Sequence, residues 1–378
     1  MDAYLQQIKE SLEKRRETDY KNYLTQKFKP FRYVCIYGMG EIGHNVYNAL
    51  LENDFHINFF CDSNNKKTGL EYKGVYCISA EKLKEVAEET LIVIASANYY
   101  YEIKDFLRKQ GMRNVITVEP EKFRIDQELK QIKMQDILKN IGQLFEVLAD
   151  EKSKDIIRKL VEEWCLEDYE QERLECIKSF PQYFPKQLVH LGELETFVDC
   201  GAFTGDTFES FLNEVDGKFE KAVLLELSEK TGYVLEENIK NLCAECNLDR
   251  NRILVHICGV SDQAKKITYQ EDSASSSISE DGQEGYLETL DHIMEVDNVS
   301  PTFIKMDIEG EEVNALRGAQ RCIQENTPIL AICIYHKMEH LWEIPLMIKE
   351  MVPRYRIYIR HHTDMYVETV CYAIPEEK

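Results

Sequence analysis

The sequence predicts an α/β protein with two doubly wound domains, residues 31–119 and 196–378, joined by a helical connector. In both stretches, short runs of β-branched and aromatic residues alternate with segments of helical period. Such alternation is typical of a parallel sheet covered by helices on both faces. The intervening residues 120–195 are almost entirely helical in period. A length of 378 residues with 44% apolar content also suits two cores better than one.

Composition excludes several classes of partner. The 46 basic and 68 acidic side chains give a formal net charge of −22, which repels a nucleic-acid backbone and an anionic membrane surface alike. Apolar runs stay far below the roughly 20 residues that a membrane span requires, and residues 1–29 lack the apolar core of a signal peptide. We therefore expect a cytoplasmic protein without a transmembrane segment or a nucleic-acid partner.

Cysteine spacing agrees with a reducing compartment. Most of the twelve cysteines stand singly inside apolar runs, as small core residues do. Cys243 and Cys246 form a C-x-x-C pair, but they lie in a helical stretch without a second pair at zinc-finger spacing. We therefore expect neither disulfides nor a bound metal.

The first elements build an N-terminal arm and domain. Residues 1–30 have helical periodicity, with Leu5, Ile8 and Leu12 between charged residues. After this arm, strands are predicted at residues 32–37, 57–61, 91–95 and 114–117, and helices at 41–53, 80–89 and 100–109. This order predicts a Rossmann-like domain over residues 31–119.

A glycine motif marks the first strand-to-helix turn of this domain. Gly38, Gly40 and Gly43 fit the G-x-G-x-x-G pattern, and Asp62 ends the second strand nineteen residues later. NAD is the usual ligand of this pattern. However, no constellation for hydride transfer follows before the chain turns helical at residue 120.

The residues around Asp62 offer another interpretation. The segment 61–64, with Lys67, Gly69 and Gly74, resembles the small nucleotide-sugar-binding domains at the N-terminus of sugar-modifying enzymes. Three interpretations of the domain stay open: nucleotide or nucleotide-sugar binding, an interaction domain without a ligand, and a true dinucleotide site.

The connector, residues 120–195, ends in the aromatic and proline cluster 180–185. An ordered aromatic loop just before a ligand-binding domain can form one wall of its site, and a plain linker is an equal alternative. The sequence leaves this choice open.

The last domain, residues 196–378, repeats the alternation with seven predicted strands, at residues 196–200, 222–226, 253–257, 302–307, 329–334, 355–360 and 368–373. Only seven residues separate the last two strands, too few for a crossover helix, so they must pair as an antiparallel hairpin at one sheet edge. Residues 270–286, with Ser273 to Ser277 at their centre, are predicted to form a long polar loop, either a lid or disordered.

This domain has its own glycine loop between its first strand and the following helix. Missing side chains there let backbone amides approach a ligand at the start of a helix. Glu226, at the end of the second strand, is placed to accept hydrogen bonds from ribose hydroxyls. The acids of the loop would repel a pyrophosphate, which favours S-adenosylmethionine over a dinucleotide. The predicted cofactor-binding residues are Asp199, Gly201, Ala202, Phe203, Thr204, Gly205, Asp206, Glu226, Gly259 and Asp307.

Three ordered motifs carry a family resemblance over roughly residues 196–373. The block F-I-K-M-D-I-E-G at 303–310, followed by Glu312, resembles the I-K-x-D-x-E-G-x-E signature of the FkbM methyltransferases. Residues 199–206 are similar to the D-x-G-A-x-x-G-D loop of that family, and residues 289–291 to its T-L-D element. One departure is Leu225-Glu226-Leu227, where the family usually has Phe-Glu-Pro. The resemblance implies a seven-stranded class I methyltransferase sheet and S-adenosylmethionine-dependent O-methylation, commonly of a sugar or a secondary metabolite.

Four residues are candidates for catalysis. Lys305 and Asp307 point to one face of a central strand whose carboxyl end meets the ligand crevice. Asp307 and Glu309 have a structural alternative, as the cap and first turn of the next helix. His336 follows the fifth strand and suits a general base near neutral pH, with Asp307 as its competitor and a structural histidine as the alternative.

His361 and His362, with Glu368, could line the acceptor side or bind a metal. Metal binding is disfavoured because adjacent strand residues face opposite ways. The sequence as a whole predicts an O-methyltransferase for a sugar or glycan hydroxyl, with a small-molecule or glycan acceptor, a nucleotide sugar at the N-terminal domain, and a possible homo-oligomer. The alternatives are an NAD-dependent oxidoreductase and a nucleotide-sugar-binding scaffold.

Overall fold

The computed structural model describes residues 2–15, 19–96, 99–271, 276–279 and 282–376. The chain forms two compact units. The N-terminal unit comprises Met1–Leu138, Arg158–Cys176 and Asp364–Tyr366, and the C-terminal unit comprises Lys139–Ile157, Ile177–Thr363 and Val367–Lys378. The helical connector therefore contributes to both units, and each unit is discontinuous in sequence.

Nine helices precede the second sheet in the described part of the chain. The N-terminal arm is helical, as predicted, and Asp19 caps its second helix by accepting a hydrogen bond from the Asn22 amide. The helices are α1 (Ala3–Lys14), α2 (Tyr20–Phe28), α3 (Glu41–Glu52), α4 (Ala80–Glu85), α5 (Tyr100–Lys109), α6 (Glu121–Gln131), α7 (Met134–Val147), α8 (Glu151–Cys165) and α9 (Glu172–Glu175).

The N-terminal unit is built on a six-stranded sheet of β1 (Tyr33–Tyr37), β2 (Phe59–Cys61), β3 (Glu71–Tyr72), β4 (Val75–Ile78), β5 (Thr90–Ile94) and β6 (Val115–Thr117). Its order is β3-β4-β2-β1-β5-β6, with every pair parallel except β3 and β4. The four predicted strands are confirmed. The hairpin of β3 and β4 escaped prediction because it is short and mostly exposed, so its residues carry little apolar signal.

The C-terminal unit contains β7 (Thr196–Cys200), β8 (Lys221–Glu226), β9 (Ile253–Ile257), β10 (Gly259–Val260), β11 (Lys265–Glu271), β12 (Ser276–Ile278), β13 (Gln283–Glu288), β14 (Phe303–Met306), β15 (Ile329–Cys333), β16 (Tyr355–His361) and β17 (Thr369–Pro375). The main sheet has seven strands in the order β16-β17-β15-β14-β7-β8-β9. Strand β17 lies antiparallel between β15 and β16, so the reversed terminal hairpin is confirmed. The predicted fold class, two doubly wound α/β domains, is confirmed as well.

The predicted polar loop at 270–286 is wrong for its described residues. Strands β11, β12 and β13 form, with β10, a separate four-stranded sheet. Ile267 and Tyr269 alternate with polar residues along β11, and Tyr269 is buried, as expected of a strand with one covered face. Ser273 to Ser275 lie outside the described residues.

Helices of the C-terminal unit connect these strands, and aromatic rings fill its core. The helices are α10 (Asp206–Glu214), α11 (Glu229–Cys246), α12 (Leu290–Val296), α13 (Glu312–Gly318), α14 (Gln320–Asn326) and α15 (His340–Met351). Phe197 on β7 stacks on Phe211 of α10 with ring centroids 4.5 Å apart. Phe184, from the aromatic and proline cluster, packs against both Phe197 and Phe303. The cluster is therefore anchored in the core of this unit.

The hydropathy of the helices and the state of the cysteines can also be compared with the sequence predictions. No helix in the described ranges is long and apolar enough to cross a membrane. All twelve cysteines are free thiols, and ten of them are buried. The prediction that most are small core residues is confirmed.

Candidate active site

The candidate site is a cavity of about 480 Å³ at the carboxyl ends of β7, β8 and β14. This edge of a doubly wound sheet is where such folds bind ligands. Of the residues predicted from sequence, eight line the cavity: Gly201, Phe203, Asp206, Glu226, Gly259, Lys305, Asp307 and Glu309. The structure therefore brings the glycine loop, the acid predicted to bind a ribose and the acid after the central strand together around one space.

The glycine loop after β7 owes its shape to close backbone packing. Gly201 has φ +80°, and a Cβ there would lie 2.0 Å from the carbonyl oxygen of Asp307. Gly205 has φ +92° and precedes the first turn of α10. The amides of Gly201 and Ala202 both donate to Leu225 O, and Thr204 O accepts a hydrogen bond from Asn238. Both glycines are thus required by the fold itself, whatever ligand the loop contacts.

Glu226 ends β8 with a fixed carboxylate. Its Oε2 accepts a hydrogen bond from the Phe203 amide at 3.0 Å, and its Oε1 accepts one from the Ser228 amide at 2.9 Å. The side chain is nearly buried yet lines the cavity. Each carboxylate oxygen can accept a second hydrogen bond, so this acid is both oriented and able to accept from a ligand hydroxyl.

Asp199 and Lys305 form a buried ion pair behind the glycine loop. Lys305 Nζ lies 2.9 Å from Asp199 Oδ1 and donates to Gly201 O at 2.6 Å. Burial raises the pKa of Asp199 to about 6, and the attraction of Lys305 opposes this rise. Because Lys305 neutralises it, Asp199 exerts no net repulsion on a ligand. The predicted repulsion of a pyrophosphate therefore depends on Asp206 and Glu226.

Two tyrosine hydroxyls hold Asp307. Tyr183 donates to its Oδ2 at 2.9 Å and Tyr335 donates to its Oδ1 at 3.0 Å. Burial raises the pKa of both tyrosines well above the ordinary value, so they keep their protons and act as donors. Helix α13 begins only at Glu312, with Glu311 as its N-cap residue, so Asp307 does not cap it. Asp307 faces the cavity in a fixed orientation.

His336 lies among carboxylates. Its Nδ1 is 2.8 Å from Glu312 Oε1, and its Nε2 is 3.4 Å from Asp307 Oδ1 and 3.5 Å from Glu309 Oε2. Burial lowers the pKa of this imidazole, but the carboxylates outweigh burial and raise it to about 9. Such an imidazole is protonated at neutral pH and cannot accept a further proton. The geometry thus favours Asp307 over His336 as the base.

His361 and His362 have structural partners. His361 Nδ1 lies 2.8 Å from Thr369 Oγ1. His362 Nδ1 donates to Ser179 O at 2.6 Å, and its Nε2 accepts from the Tyr372 hydroxyl at 2.9 Å. Burial lowers the pKa of His362 to about 4, so it is neutral. Neither histidine lines the cavity with Glu368.

Three further residues that the sequence suggested for the site, Gln182, Tyr183 and Glu368, also line the cavity. Glu368 accepts a hydrogen bond from the Gln182 side chain, and burial together with Asp307 raises its pKa to about 7. Gln182 and Tyr183 line the cavity, which confirms that the aromatic and proline cluster forms a wall of the site. The position of this cluster just before the domain was the sequence signal for its place in the wall. Tyr183 and Asp307 are 124 residues apart, so their contact could not be predicted from local spacing.

The glycine motif of the N-terminal unit is arranged differently. Asp62 Oδ2 accepts hydrogen bonds from the Met39 amide and from Lys67 Nζ, both at 2.8 Å. Lys67 Nζ also donates to Met39 O at 2.9 Å. The acid expected to hold a ribose is therefore engaged by the chain itself, and a ribose would share it with Lys67.

Comparisons with known proteins agree with this architecture. Residues 199–365 match the sequence model of the family described as the methyltransferase FkbM domain, and residues 31–116 match that described as C2185-like, N-terminal. No curated protein sequence matches the chain significantly.

Among solved structures, the methyltransferase FkbM of Methylobacillus flagellatus is similar over 98% of this chain and 99% of its own, with a TM-score of 0.72 and 22% identity. Its likeness shows that the fold of both units is shared. A precorrin-6y C5,15-methyltransferase of Geobacter metallireducens matches 50% of this chain and 83% of its own, with a TM-score of 0.32 and 9% identity. A UDP-D-quinovosamine 4-dehydrogenase of Vibrio fischeri matches 29% and 98%, with a TM-score of 0.21 and 21% identity. The last two scores are too low to support an inference.

The fold and the match of residues 199–365 together define the class of this protein, which is a methyltransferase. Residues 199–365 are a methyltransferase FkbM domain.

Proposed function

We propose that the chain is an S-adenosylmethionine-dependent O-methyltransferase acting on a sugar or glycan hydroxyl. One observation carries the proposal. A single cavity joins Glu226, at the end of β8, to Asp307, which follows β14, and β7 with its glycine loop lies between these two strands. One acid is thus placed for the cofactor and the other for the acceptor.

The residues present fit S-adenosylmethionine. The cavity volume lies within the range of small-molecule sites, about 300–1,000 Å³. Glu226 can accept the ribose hydroxyls, and the apolar Leu227, Val260 and Leu287 line the same part of the chain's cavity as a surface for the adenine. Asp206, at the first turn of α10, also lines the cavity and suits a cofactor that carries positive charge rather than phosphates.

The chain's own residues prepare the acceptor. When bound, the cofactor would supply a methyl group on a sulfonium, and its sulfur would leave as a neutral thioether as the acceptor oxygen forms its bond to the methyl carbon. Asp307 takes the hydroxyl proton, because its carboxylate faces the cavity and Tyr183 and Tyr335 fix its orientation. Alignment of the reacting atoms can lower the activation free energy of such a displacement by up to about 7–11 kcal/mol.

The acceptor end of the cavity suits a polyhydroxyl compound. Gln182, Glu309 and Glu368 line it together with Asp307. Carboxylate and amide oxygens accept hydrogen bonds from hydroxyl groups, and Tyr183 adds an aromatic ring for a sugar face. This lining supports a sugar or glycan as the acceptor.

A second candidate function concerns the N-terminal unit. Among the described residues, a Cβ on Gly40 would have only Lys67 Nζ within about 4.0 Å, so the backbone at the start of α3 is open to a ligand. This favours a nucleotide sugar as its ligand. The NAD-dependent alternative and the homo-oligomer stay predictions.

Calorimetry tests the cofactor. We expect the full chain to bind S-adenosylmethionine and Glu226→Gln to bind it at least about tenfold more weakly, since a hydrogen bond to a charged group contributes roughly 1.5–3 kcal/mol. Glu209→Gln, an exposed acid of α10 outside the cavity, is the matched control. Gly201→Val would not test cofactor binding by itself, because its side chain would clash with the carbonyl oxygen of Asp307 and distort the fold. Absence of binding, or undiminished binding in Glu226→Gln, would contradict the proposal.

Turnover tests the chemistry. Asp307→Asn should keep cofactor binding while kcat falls by about 10²–10⁴, the usual contribution of a general base. Product mass spectrometry on sugars, nucleotide sugars and lipid-linked glycans would identify the acceptor. Methylation confined to nitrogen or carbon in that panel would refute O-methylation.

A further inference from the structure

A second groove adjoins the cavity of the C-terminal unit. It has a volume of about 300 Å³ and lies between the aromatic and proline cluster, residues 180–185, and helix α10. Four residues line both spaces, and they are Gln182, Tyr183, Asp206 and Thr207. The groove therefore continues the cavity at the side of Gln182 and Tyr183, and a ligand that fills the acceptor end can extend into it.

Helix α10 presents a polar face to this groove. The lining residues of the helix follow the spacing i, i+1, i+4, i+7 and i+8 of a single helical face, and they are Asp206, Thr207, Ser210, Asn213 and Glu214. The nine-residue helix is roughly 13 Å long at 1.5 Å per residue. Hydroxyl, amide and carboxylate groups accept hydrogen bonds from sugar hydroxyls, and hydroxyl and amide groups also donate them. Such a face can contact more than one sugar unit.

Two side chains between the cavity and the groove have hydrogen-bonding groups available. Thr207 is only 7% exposed, and its hydroxyl has no hydrogen-bond partner within the described part of the chain. Gln182 donates to the Glu368 carboxylate, which leaves its side-chain oxygen as an acceptor. A nearly buried hydroxyl without a partner costs free energy unless a ligand or water bonds to it. Both groups lie where a chain of sugars would pass from the cavity into the groove.

The charge of the groove selects against a phosphorylated ligand. Asp206 and Glu214 are acidic, and none of the described residues that line the groove is basic. Lys186 Nζ lies 3.9 Å from Glu214 Oε2 and offsets the charge of that acid, but Asp206 would repel a phosphate. The lining thus suits an uncharged polyhydroxyl unit better than a nucleotide or a pyrophosphate.

We infer that the acceptor is an oligosaccharide of at least two sugar units, and that the groove binds the unit next to the one that is methylated. The inference rests on the proposed function, because it narrows the acceptor from any sugar to a chain of sugars. Ser210 and Asn213 are exposed and line the groove but not the cavity, so they select the second unit. Contacts with a unit remote from the reacting hydroxyl help to align that hydroxyl and so raise kcat/KM.

The test compares acceptors that differ by one sugar unit, with the full chain and S-adenosylmethionine. Each pair consists of the methyl glycoside of a hexose and a disaccharide that extends it by a second hexose, and product mass spectrometry measures methyl transfer. We expect kcat/KM to be at least about tenfold higher for the disaccharide of a methylated pair, because several hydrogen bonds in the groove add to its binding.

Two variants of helix α10 locate the origin of this preference. Asn213→Trp fills the groove, so the preference for the disaccharide should disappear. Glu209→Trp is the matched control, since it adds the same bulk to an exposed position of the same helix that lines neither space, and it should retain the preference. Saturation-transfer NMR measures binding without turnover. The unchanged chain should saturate both rings of a disaccharide, and Asn213→Trp only one.

The outcomes separate the two proposals. Methylation with equal kcat/KM for both members of every pair, or the same preference in Asn213→Trp as in Glu209→Trp, overturns the second sugar site and leaves the methyltransferase proposal intact. Saturation of both rings without methylation of any sugar retains the second site and refutes the proposed function. If no sugar is either methylated or saturated, both proposals are refuted.

Discussion

The two glycine loops of this chain look alike in sequence and differ in structure. Each follows the first strand of its unit, and each has a lysine that neutralises an aspartate beside it, Lys67 with Asp62 and Lys305 with Asp199. In the N-terminal unit that aspartate ends the second strand, where a ribose would bind. In the C-terminal unit the ion pair lies behind the loop, and a different acid, Glu226, lines the cavity.

From this difference we expect an acid at a strand end to serve a ribose better when its internal partners are neutral amides than when one of them is an ammonium. Asp62 accepts a hydrogen bond from an ammonium of its own chain, whereas Glu226 accepts hydrogen bonds from the backbone amides of Phe203 and Ser228. A neutral backbone amide leaves the net negative charge at the carboxylate, whereas an ammonium offsets it. Four predictions test this comparison.

The largest effect is expected at the buried ion pair. Lys305→Met leaves Asp199 buried without a partner, and breaking such a pair costs about 3–5 kcal/mol in the free energy of unfolding. Lys67→Met breaks the partly exposed pair and should cost about 1 kcal/mol or less. Urea unfolding followed by fluorescence distinguishes them, because Trp342 lies in the C-terminal unit and Trp164 in the N-terminal one. Equal losses would show that the two pairs are equivalent.

Two buried groups, one in each unit, should contribute to the pH dependence of stability with opposite signs. Burial lowers the pKa of His362 to about 4 from 6.5, so the unfolded chain binds more protons between these values, and the contribution of His362 to the stability of the C-terminal unit, about 3 kcal/mol, is lost as the pH falls through them. Burial raises the pKa of Glu119 to about 8 from 4.5, so the N-terminal unit loses stability as the pH rises over that range.

Unfolding curves at several pH values, read separately from Trp342 and Trp164, measure both slopes. Glu119→Gln is the control for the N-terminal unit, where it should flatten the slope and leave the other unit unchanged. A slope in Glu119→Gln equal to that of the unchanged chain would contradict the ionisation state of Glu119.

Replacing Asp62 should lower the stability of the N-terminal unit and leave the affinity for S-adenosylmethionine unchanged. Asp62→Ala deprives the Met39 amide and Lys67 of their acceptor, which should cost about 1–3 kcal/mol in the N-terminal unit. S-adenosylmethionine binding, measured by calorimetry, should stay unchanged, in contrast to Glu226→Gln. A loss of cofactor affinity in Asp62→Ala would mean that the first loop contributes to the same site.

The smallest effect on stability is expected at Gly40. Its φ of −116° suits any residue, and a Cβ there meets no backbone, so Gly40→Ala should change stability by about 0.5 kcal/mol or less. Gly43→Ala is the contrast, since its Cβ would lie 1.9 Å from Gly38 O. If the loop binds a nucleotide sugar, Gly40→Ala should weaken UDP-sugar binding at least about tenfold by blocking the backbone. Undiminished binding would place that ligand elsewhere.

Much of the fold could be predicted because buried parallel strands are short apolar runs. Strand β5, Thr90–Ile94, is buried throughout and was predicted within one residue, and β7, Thr196–Cys200, was predicted at its observed bounds. Strands β11 and β13 were missed because one face is exposed and polar, so their pairing depends on each other and not on local composition.

The site could be predicted only where its residues share a motif. Asp307 and Glu226 stand at strand ends, a position that sequence periodicity predicts. Tyr183 and Tyr335 could not be assigned to Asp307, because their contacts join residues far apart in the chain. Glu312 is a first-turn helical glutamate, which is usually solvated, and only the fold shows that it is buried against His336.

The connection between β16 and β17 affects the order in which the chain can fold. Asp364 to Tyr366 belong to the N-terminal unit, where Tyr169 donates to Asp364 O, Gln171 to the Asp364 carboxylate, and Tyr366 to Glu163 O. During synthesis these acceptors and donors arrive after almost the whole chain has left the ribosome. The N-terminal unit therefore cannot complete its packing ahead of the C-terminal one, and a nascent chain stopped before residue 364 holds Tyr169 and Gln171 without these partners.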